Sequence, residues 1–199
     1  PSTGLGRIEA IYDRQNIINR PDRYHKLKPI AANVDILAVV FAALPAPAAQ
    51  LIDRYLVACY YANIKPLLIL NKADLLTNPA YTDVTQLLKD YQALGYDAIV
   101  TQTDGDLSVL KQRLAGKTVI FAGQSGVGKS SLVNQLLPLA DQSVNVISTL
   151  SQLGQHTTTT SRFLAFDRTD LSQGAVIDTP GIREYGLWHL TPDDILQGF

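Results

Sequence analysis

The apolar run Thr118 to Ala122 leads straight into Gly123-Gln124-Ser125-Gly126-Val127-Gly128-Lys129-Ser130, and a helical pattern continues to Leu137. Few successions constrain a fold more tightly than strand, glycine-rich loop and helix. The glycines let the backbone wrap an anion, so that several N–H groups converge on it at the helix N-terminus, where the helix dipole also favours negative charge. Such a loop belongs to a βα unit of a parallel sheet. Within it Lys129 would reach β- and γ-phosphates as a point charge, and Ser130 would offer its hydroxyl to Mg²⁺. Gly123, Ser125, Gly126, Val127, Gly128 and Ser131 complete the expected nucleotide contacts. A chance glycine-rich turn would not need the strand before it or the helix after it.

The remaining pattern supplies the sheet. Val34 to Ala43 is a near-continuous apolar run, as in a strand buried on both faces, and Pro45 and Pro47 follow it. A helix is expected over 48–62 on the spacing of Leu51, Ile52, Tyr55, Leu56 and Cys59, with Pro47 placed to sit in its first turn. A strand at 66–70, a helix at 83–94, a strand at 97–101 and a helix at 106–114 come next, and strands at 162–166 and 175–177 close the series. Strands alternating with helices predict a three-layer α/β fold with a mostly parallel sheet. Residues 7–18 read as a strand and turn, followed by a basic connector from Arg14 to Lys28. The polar stretch 138–161 reads as irregular and mobile.

A second motif, Asn71-Lys72-Ala73-Asp74, follows the strand at 66–70. A carboxylate at Asp74 can accept from guanine N1–H and the exocyclic amine, whereas adenine presents an acceptor at N1. That matching rejects the wrong base, because a mismatch leaves buried polar groups unsatisfied. Asn71 would brace the loop or contact the base, and the Lys72 stem would cover the ring face. Thr101, Gln102 and Thr103, after the next strand, are placed to close over the base through backbone N–H groups to O6. A third motif, Asp178-Thr179-Pro180-Gly181, ends the last strand. There Asp178 would hold Mg²⁺ through water and the Gly181 N–H would sense the γ-phosphate.

In Ras-like GTPases the phosphate loop comes first and the guanine signature late. Here the order is guanine reader, phosphate loop, then Asp178, which predicts a circularly permuted G domain. Ile182 stands where Ras-type enzymes carry a water-orienting glutamine, and an isoleucine cannot polarise water. A replacement lies in Gly154-Gln155-His156-Thr157-Thr158-Thr159-Thr160. One threonine there would coordinate Mg²⁺, and a neutral His156 imidazole can orient or deprotonate water near pH 7. A solvated loop histidine is the plainer reading of His156 from the residues alone.

Bulk properties narrow the setting. The 199 residues, 46% apolar, suit one α/β domain with a small appendage. Lys and Arg total 17 against 18 Asp and Glu, so net charge does not point to nucleic acid. The single cysteine, Cys59, excludes an intrachain disulfide and a cysteine-built zinc site, and reads as a core residue. No apolar run approaches the ~18 residues that span a bilayer, and no signal peptide opens the chain, so a cytoplasmic setting is expected. The chain starts at Pro1, contains no methionine and stops within an amphipathic pattern at 192–199, as a piece of a longer protein would.

The combination of 123–131, Gly154 to Thr159 and Asp178-Thr179-Pro180-Gly181-Ile182-Arg183-Glu184 resembles the small-ribosomal-subunit-dependent, circularly permuted GTPases of bacteria. The stretches 29–35 and Gly186-Leu187-Trp188-His189-Leu190 match as well, so the likeness runs over essentially the whole chain. The resemblance implies a GTPase that turns GTP into GDP and phosphate, is stimulated by the 30S subunit and acts in late 30S maturation. It implies 16S rRNA as a partner, no membrane, and a monomer. It assigns catalysis to His156, with Thr158 as the magnesium ligand and Thr159 second, and Ile182 matches the family's apolar residue. Arg14 through Lys28 would then touch rRNA phosphates or form a solvated linker, and Trp188 and His189 would anchor the segment after the Asp178 loop. The implied domains are 1–33, a remnant of an N-terminal OB-fold strand plus linker; 34–190, the permuted GTPase domain; and 191–199, the start of a C-terminal domain. That family carries a C-terminal zinc domain whose Cys and His ligands are absent from this chain. A nucleotide-gated binding module with negligible hydrolysis is the alternative, and an ATP-using P-loop enzyme is disfavoured by Asp74.

Overall fold

The computed structural model describes residues 9–21, 26–137 and 161–178. Its central sheet begins with β3, Ile36–Ala42, in which all seven residues are buried. Alternate residues serve opposite faces. Leu37, Val39 and Phe41 enter one apolar cluster, and Ile36, Ala38, Val40 and Ala42 enter the other. The same division recurs in β4 (Lys65–Asn71), with Leu68 and Leu70 against Leu67 and Ile69, and in β6 (Lys117–Ala122), with Ile120 and Ala122 against Val119 and Phe121. Period-2 geometry thus forces a buried strand to be apolar throughout.

Helices α1 (Ala49–Ala62) and α2 (Thr82–Ala93) cover the first face through Ile52, Tyr55, Leu56, Cys59, Val84, Leu88 and Tyr91. Helices α3 (Ser108–Leu114) and α4 (Lys129–Leu136) cover the second through Leu110, Leu114, Leu132, Val133 and Leu136. The expected three layers are present. With β5 (Ala98–Val100), β7 (Arg162–Ala165) and β8 (Gly174–Asp178), the six-stranded order is β5-β4-β3-β6-β8-β7. Every pairing is parallel except β7 with β8.

This order places the site. From β3 the chain winds outward to β4 and β5, whereas from β6 it winds the other way to β8 and β7. Connections therefore diverge above the C-terminal ends of β3 and β6, and a crevice opens at that switch point.

Several local expectations need correction. The predicted strand and basic connector between residues 7 and 28 become a separate antiparallel pair, β1 (Ile17–Pro21) with β2 (Leu27–Ala32). Pro21 and Pro29 read as connector signals, but each strand of a two-stranded ladder has one side that needs no N–H donor. Ile18 pins the hairpin to the core at 2% exposure. Asn16 and Val34 exchange two hydrogen bonds at its base, Asn16 Nδ2 donating to Val34 O and Val34 N to Asn16 Oδ1, at 2.8 and 2.9 Å. Helix α1 starts at Ala49 with Ala48 as its cap, so Pro47 lies outside the first turn. Helix α3 starts at Ser108, because the Asp106 carboxylate accepts from the Ser108 N–H and hydroxyl in a turn ahead of it. Those bonds hold the Asp106 carboxyl below its usual range. Among the described residues, no helix is long and apolar enough to cross a membrane.

Candidate functional site

The phosphate loop occupies the predicted junction. Gly128, with φ 97°, is the N-cap of α4, and Lys129 is its first residue. Two glycines are required here for different reasons. A Cβ at Gly123 (φ 132°) would overlap the Val40 carbonyl oxygen of β3, and one at Gly128 would overlap Asn71 Nδ2. Val127 points inward and is fully buried in the cluster beneath α3 and α4. Lys129 arches back over its own loop, its Nζ donating to the carbonyls of Gly123 at 2.8 Å and Gln124 at 2.5 Å.

Asn71 braces the loops around it. It is fully buried at the end of β4 and faces the loop, not the crevice. Its Nδ2 donates to Val127 O at 2.9 Å and, at 3.4 Å, to Thr103 Oγ1, while its Oδ1 accepts from the Thr101 hydroxyl at 3.0 Å. Asn71 is a brace between three loops. Lys72 adopts a left-handed conformation, φ 62°, and its Nζ donates to Leu44 O at 2.8 Å, so its stem lies across the crevice wall. Asp74 follows, exposed, in the short 3₁₀ turn Ala73–Thr77.

Lys72, Asp74, Gln102, Thr103, Asp104, Ser125, Gly126, Gly128, Lys129, Ser130 and Ser131 line a single open crevice of about 610 Å³. The two motifs therefore meet although 48 residues lie between Asp74 and Gly123 in the chain. Thr101 is placed differently from expectation. Its N–H donates to Leu70 O at 2.9 Å and its hydroxyl goes to Asn71, so its hydrogen-bonding groups serve the sheet and the brace. Gln102 and Thr103 are the members of that segment that reach the crevice.

Asp178 ends β8 and is half-buried opposite Arg162 of β7. Continuing the β6–β8 register beyond Val119 and Val176 brings it level with Phe121, just below the phosphate loop. His156, Thr158, Thr159, Gly181, Ile182, Trp188 and His189 lie outside the described residues. Sequence reasoning missed Leu44, whose carbonyl receives Lys72, and Gln124, whose Oε1 accepts from Ala48 N at 3.3 Å. A backbone acceptor carries no residue signature, and the Gln124 partner lies 76 residues away.

A phosphate loop at the switch point of a parallel sheet, braced to a guanine-type loop that precedes it in the chain, defines a circularly permuted P-loop GTPase domain. The RsgA GTPase family matches residues 11–188, and the chain belongs to that family. It is 47% identical over 203 residues to the small ribosomal subunit biogenesis GTPase RsgA of Sodalis glossinidius, covering all of this chain and 58% of that protein. The RsgA of Alcanivorax borkumensis is 49% identical over 201 residues, covering 100% of this chain and 56% of the relative. The chain thus spans a little over half the length of the curated relatives it matches. The crystal structure of YjeQ from Thermotoga maritima superposes with a TM-score of 0.73 at 30% identity, covering 100% of this chain and 63% of YjeQ. YloQ, described as a circularly permuted GTPase, gives 0.63 at 27% identity, with coverages of 99% and 67%.

Proposed function

We propose that this domain binds GTP and hydrolyses it to GDP and phosphate, as the working part of a GTPase that is stimulated by the small ribosomal subunit during its biogenesis. The Asn71 brace carries the reading, because it fixes a base-selecting carboxylate and a phosphate cradle on one crevice. The names of the curated relatives support the ribosomal setting. In this reading Asp74 selects guanine, with Gln102 and Thr103 closing over the base. The N–H groups from Ser125 to Ser131 and the Lys129 ammonium hold the phosphates.

The donor set suits Mg²⁺, which takes few protein ligands beyond substrate phosphates and water. Ser130 supplies a hydroxyl from the first turn of α4, and Asp178 a carboxylate from the end of β8, which is parallel to β6. When bound, the cation neutralises charge developing on the transferred phosphoryl group. Thr158 would join Ser130 as a ligand, Gly181 would contact the γ-phosphate, and His156 would orient the water. Contact with 16S rRNA, a monomeric state and a cytoplasmic location belong to the same proposal, as do the boundaries 1–33, 34–190 and 191–199.

His156→Ala is the direct test. Hydrolysis in the presence of 30S subunits should fall by about 10²-fold or more, the scale of a lost general base, while GTP affinity stays within threefold. Wild-type turnover in that variant would sink the assignment. Single-turnover hydrolysis no faster than uncatalysed GTP, with subunits present, would instead favour the nucleotide-gated module.

A further inference from the structure

The connection between β3 and α1, residues 43–48, lies against both ligand loops. Leu44 O receives the Lys72 ammonium from the guanine side at 2.8 Å. Four residues on, Ala48 N–H donates to Gln124 Oε1 from the phosphate side at 3.3 Å. Between them, Pro45 Cδ would lie 3.7 Å from a Cβ on Gly126, so the strap passes beside the crest of the phosphate loop. Asn71 holds that loop from beneath, at Val127 O, while Lys129 Nζ, the group expected to turn to the phosphates, donates to the carbonyls of Gly123 and Gln124. Once Lys129 serves a ligand, two flexible residues, Gly123 and Gly126, lie on the side away from Asn71. Its N–H groups bind phosphate only when they point inward together, and disordering them costs affinity through conformational entropy.

We infer that Gln124 is a positioning residue for phosphate binding: through Ala48 it ties the outer side of the phosphate loop to the 43–48 strap. Gln124 is half-buried and is not among the residues lining the crevice. Its side chain works on the loop and not on the ligand. The strap also relays the two halves of the site to one another, since Leu44 and Ala48 belong to one short connection pinned by β3 and α1. This rests on the nucleotide-binding reading above and adds the residue that stiffens the phosphate half.

The bond is removable from either end. Gln124→Ala deletes the acceptor. Ala48→Pro deletes only the donor, at an extended cap residue with φ −90°, close to what proline adopts, and its carbonyl still accepts from Leu51 and Ile52. Gln124→Glu keeps an oxygen acceptor. Binding of GDP and of guanosine, which has no phosphate, would be measured by titration for the wild type and each variant. Expected are 3- to 10-fold weaker GDP binding in Gln124→Ala and Ala48→Pro, about what one net hydrogen bond supplies. The double variant should be no weaker than either single one. Guanosine affinity should be unchanged in all of them, and Gln124→Glu should bind GDP better than Gln124→Ala.

Equal losses for guanosine and GDP would mean general destabilisation and overturn the inference. So would additive losses in the double variant, or GDP binding within twofold of wild type in Gln124→Ala. A wild-type chain that does not prefer GDP to ADP would instead defeat the nucleotide reading itself, which separates the two failures.

Discussion

Asn71→Ala should damage both stability and ligand binding, because one buried amide serves three loops. The substitution strips Val127 O of a 2.9 Å donor and the Thr101 hydroxyl of a 3.0 Å acceptor. Val127 is fully buried and Thr101 is 5% exposed, so water does not readily replace the amide. The Thr103 contact, at 3.4 Å, is at the long limit and adds little. Each buried group deprived of its partner costs about 1–3 kcal/mol. The Thr101 hydroxyl can rotate toward another acceptor, which puts the total near the lower half of the range, about 2–4 kcal/mol. At about 2–4 °C per kcal/mol for a chain of this size, Tm should fall by roughly 4–16 °C.

The measurement is thermal unfolding by circular dichroism without nucleotide, paired with a GDP titration well below the transition. GDP affinity should drop at least tenfold, because the phosphate loop and the base-reading loop lose their common support. A Thr101→Val partner completes the comparison. It removes the hydroxyl that Asn71 accepts from, so the two changes should be non-additive by about 1 kcal/mol. A Tm within 2 °C of wild type, together with unchanged GDP affinity, would refute the brace.

Three further outcomes follow from the same geometry. Gly128→Ala forces a side chain into left-handed backbone and onto Asn71 Nδ2, so GDP binding should weaken more than in Ala variants of the exposed Ser125, and equilibrium titration reads the difference. Asp74→Asn exchanges a double acceptor for a donor–acceptor pair, which fits xanthine N1–H and O2; competition titration should show GDP affinity lost by about 10²-fold or more and XDP affinity gained. Burial pushes the Cys59 thiol up to about 12. The folded state therefore keeps its proton while the unfolded thiol ionises near 8.5. This contribution to stability is complete below that value and is lost as pH rises from about 8.5 to 12, and native Cys59 should resist iodoacetamide at pH 8 until denaturant is added.

What could be read in the sequence was whatever repeats at short range. The β3, β4 and β6 strands are apolar on both faces, so their burial is written into consecutive residues, and the phosphate loop is contiguous from Gly123 to Ser130. The hairpin β1–β2 was not legible because its prolines argue against strand and its partner choice depends on a ladder with one unpaired side per strand. Helix starts shifted by one or two residues where a turn intervened, as at Asp106–Ser108. Within the site, motif signatures mark which residues belong to the two loops, but not what holds those loops in place. Asn71 was visible as a motif member while its role stayed open between brace and base contact, and its bracing bond to Val127 O, 56 residues away, has no local signature. Gln124 and Leu44 act through partners 76 and 28 residues away, distances at which no local periodicity operates.

The permutation explains why these long-range bonds carry so much. A nucleotide site at a sheet switch point depends on which strand ends are neighbours, and β4, β3, β6 and β8 are neighbours in the same spatial order whatever the order of the chain. Chain order changes what is covalently close. Here the guanine loop and the phosphate loop are joined through α2, β5, α3 and β6, so their relative position is set by the sheet and by side-chain bonds and not by a short connection. Asn71–Val127 and Gln124–Ala48 supply that constraint from opposite sides of the loop. A third long-range bond extends the logic outward. Ser161, directly after the threonine run, donates its hydroxyl to Ile30 O of β2 at 2.8 Å across 131 residues. The next residue, Arg162, pairs with Asp178. The strand that bears the expected magnesium carboxylate is thus one ladder step and one hydroxyl away from the hairpin.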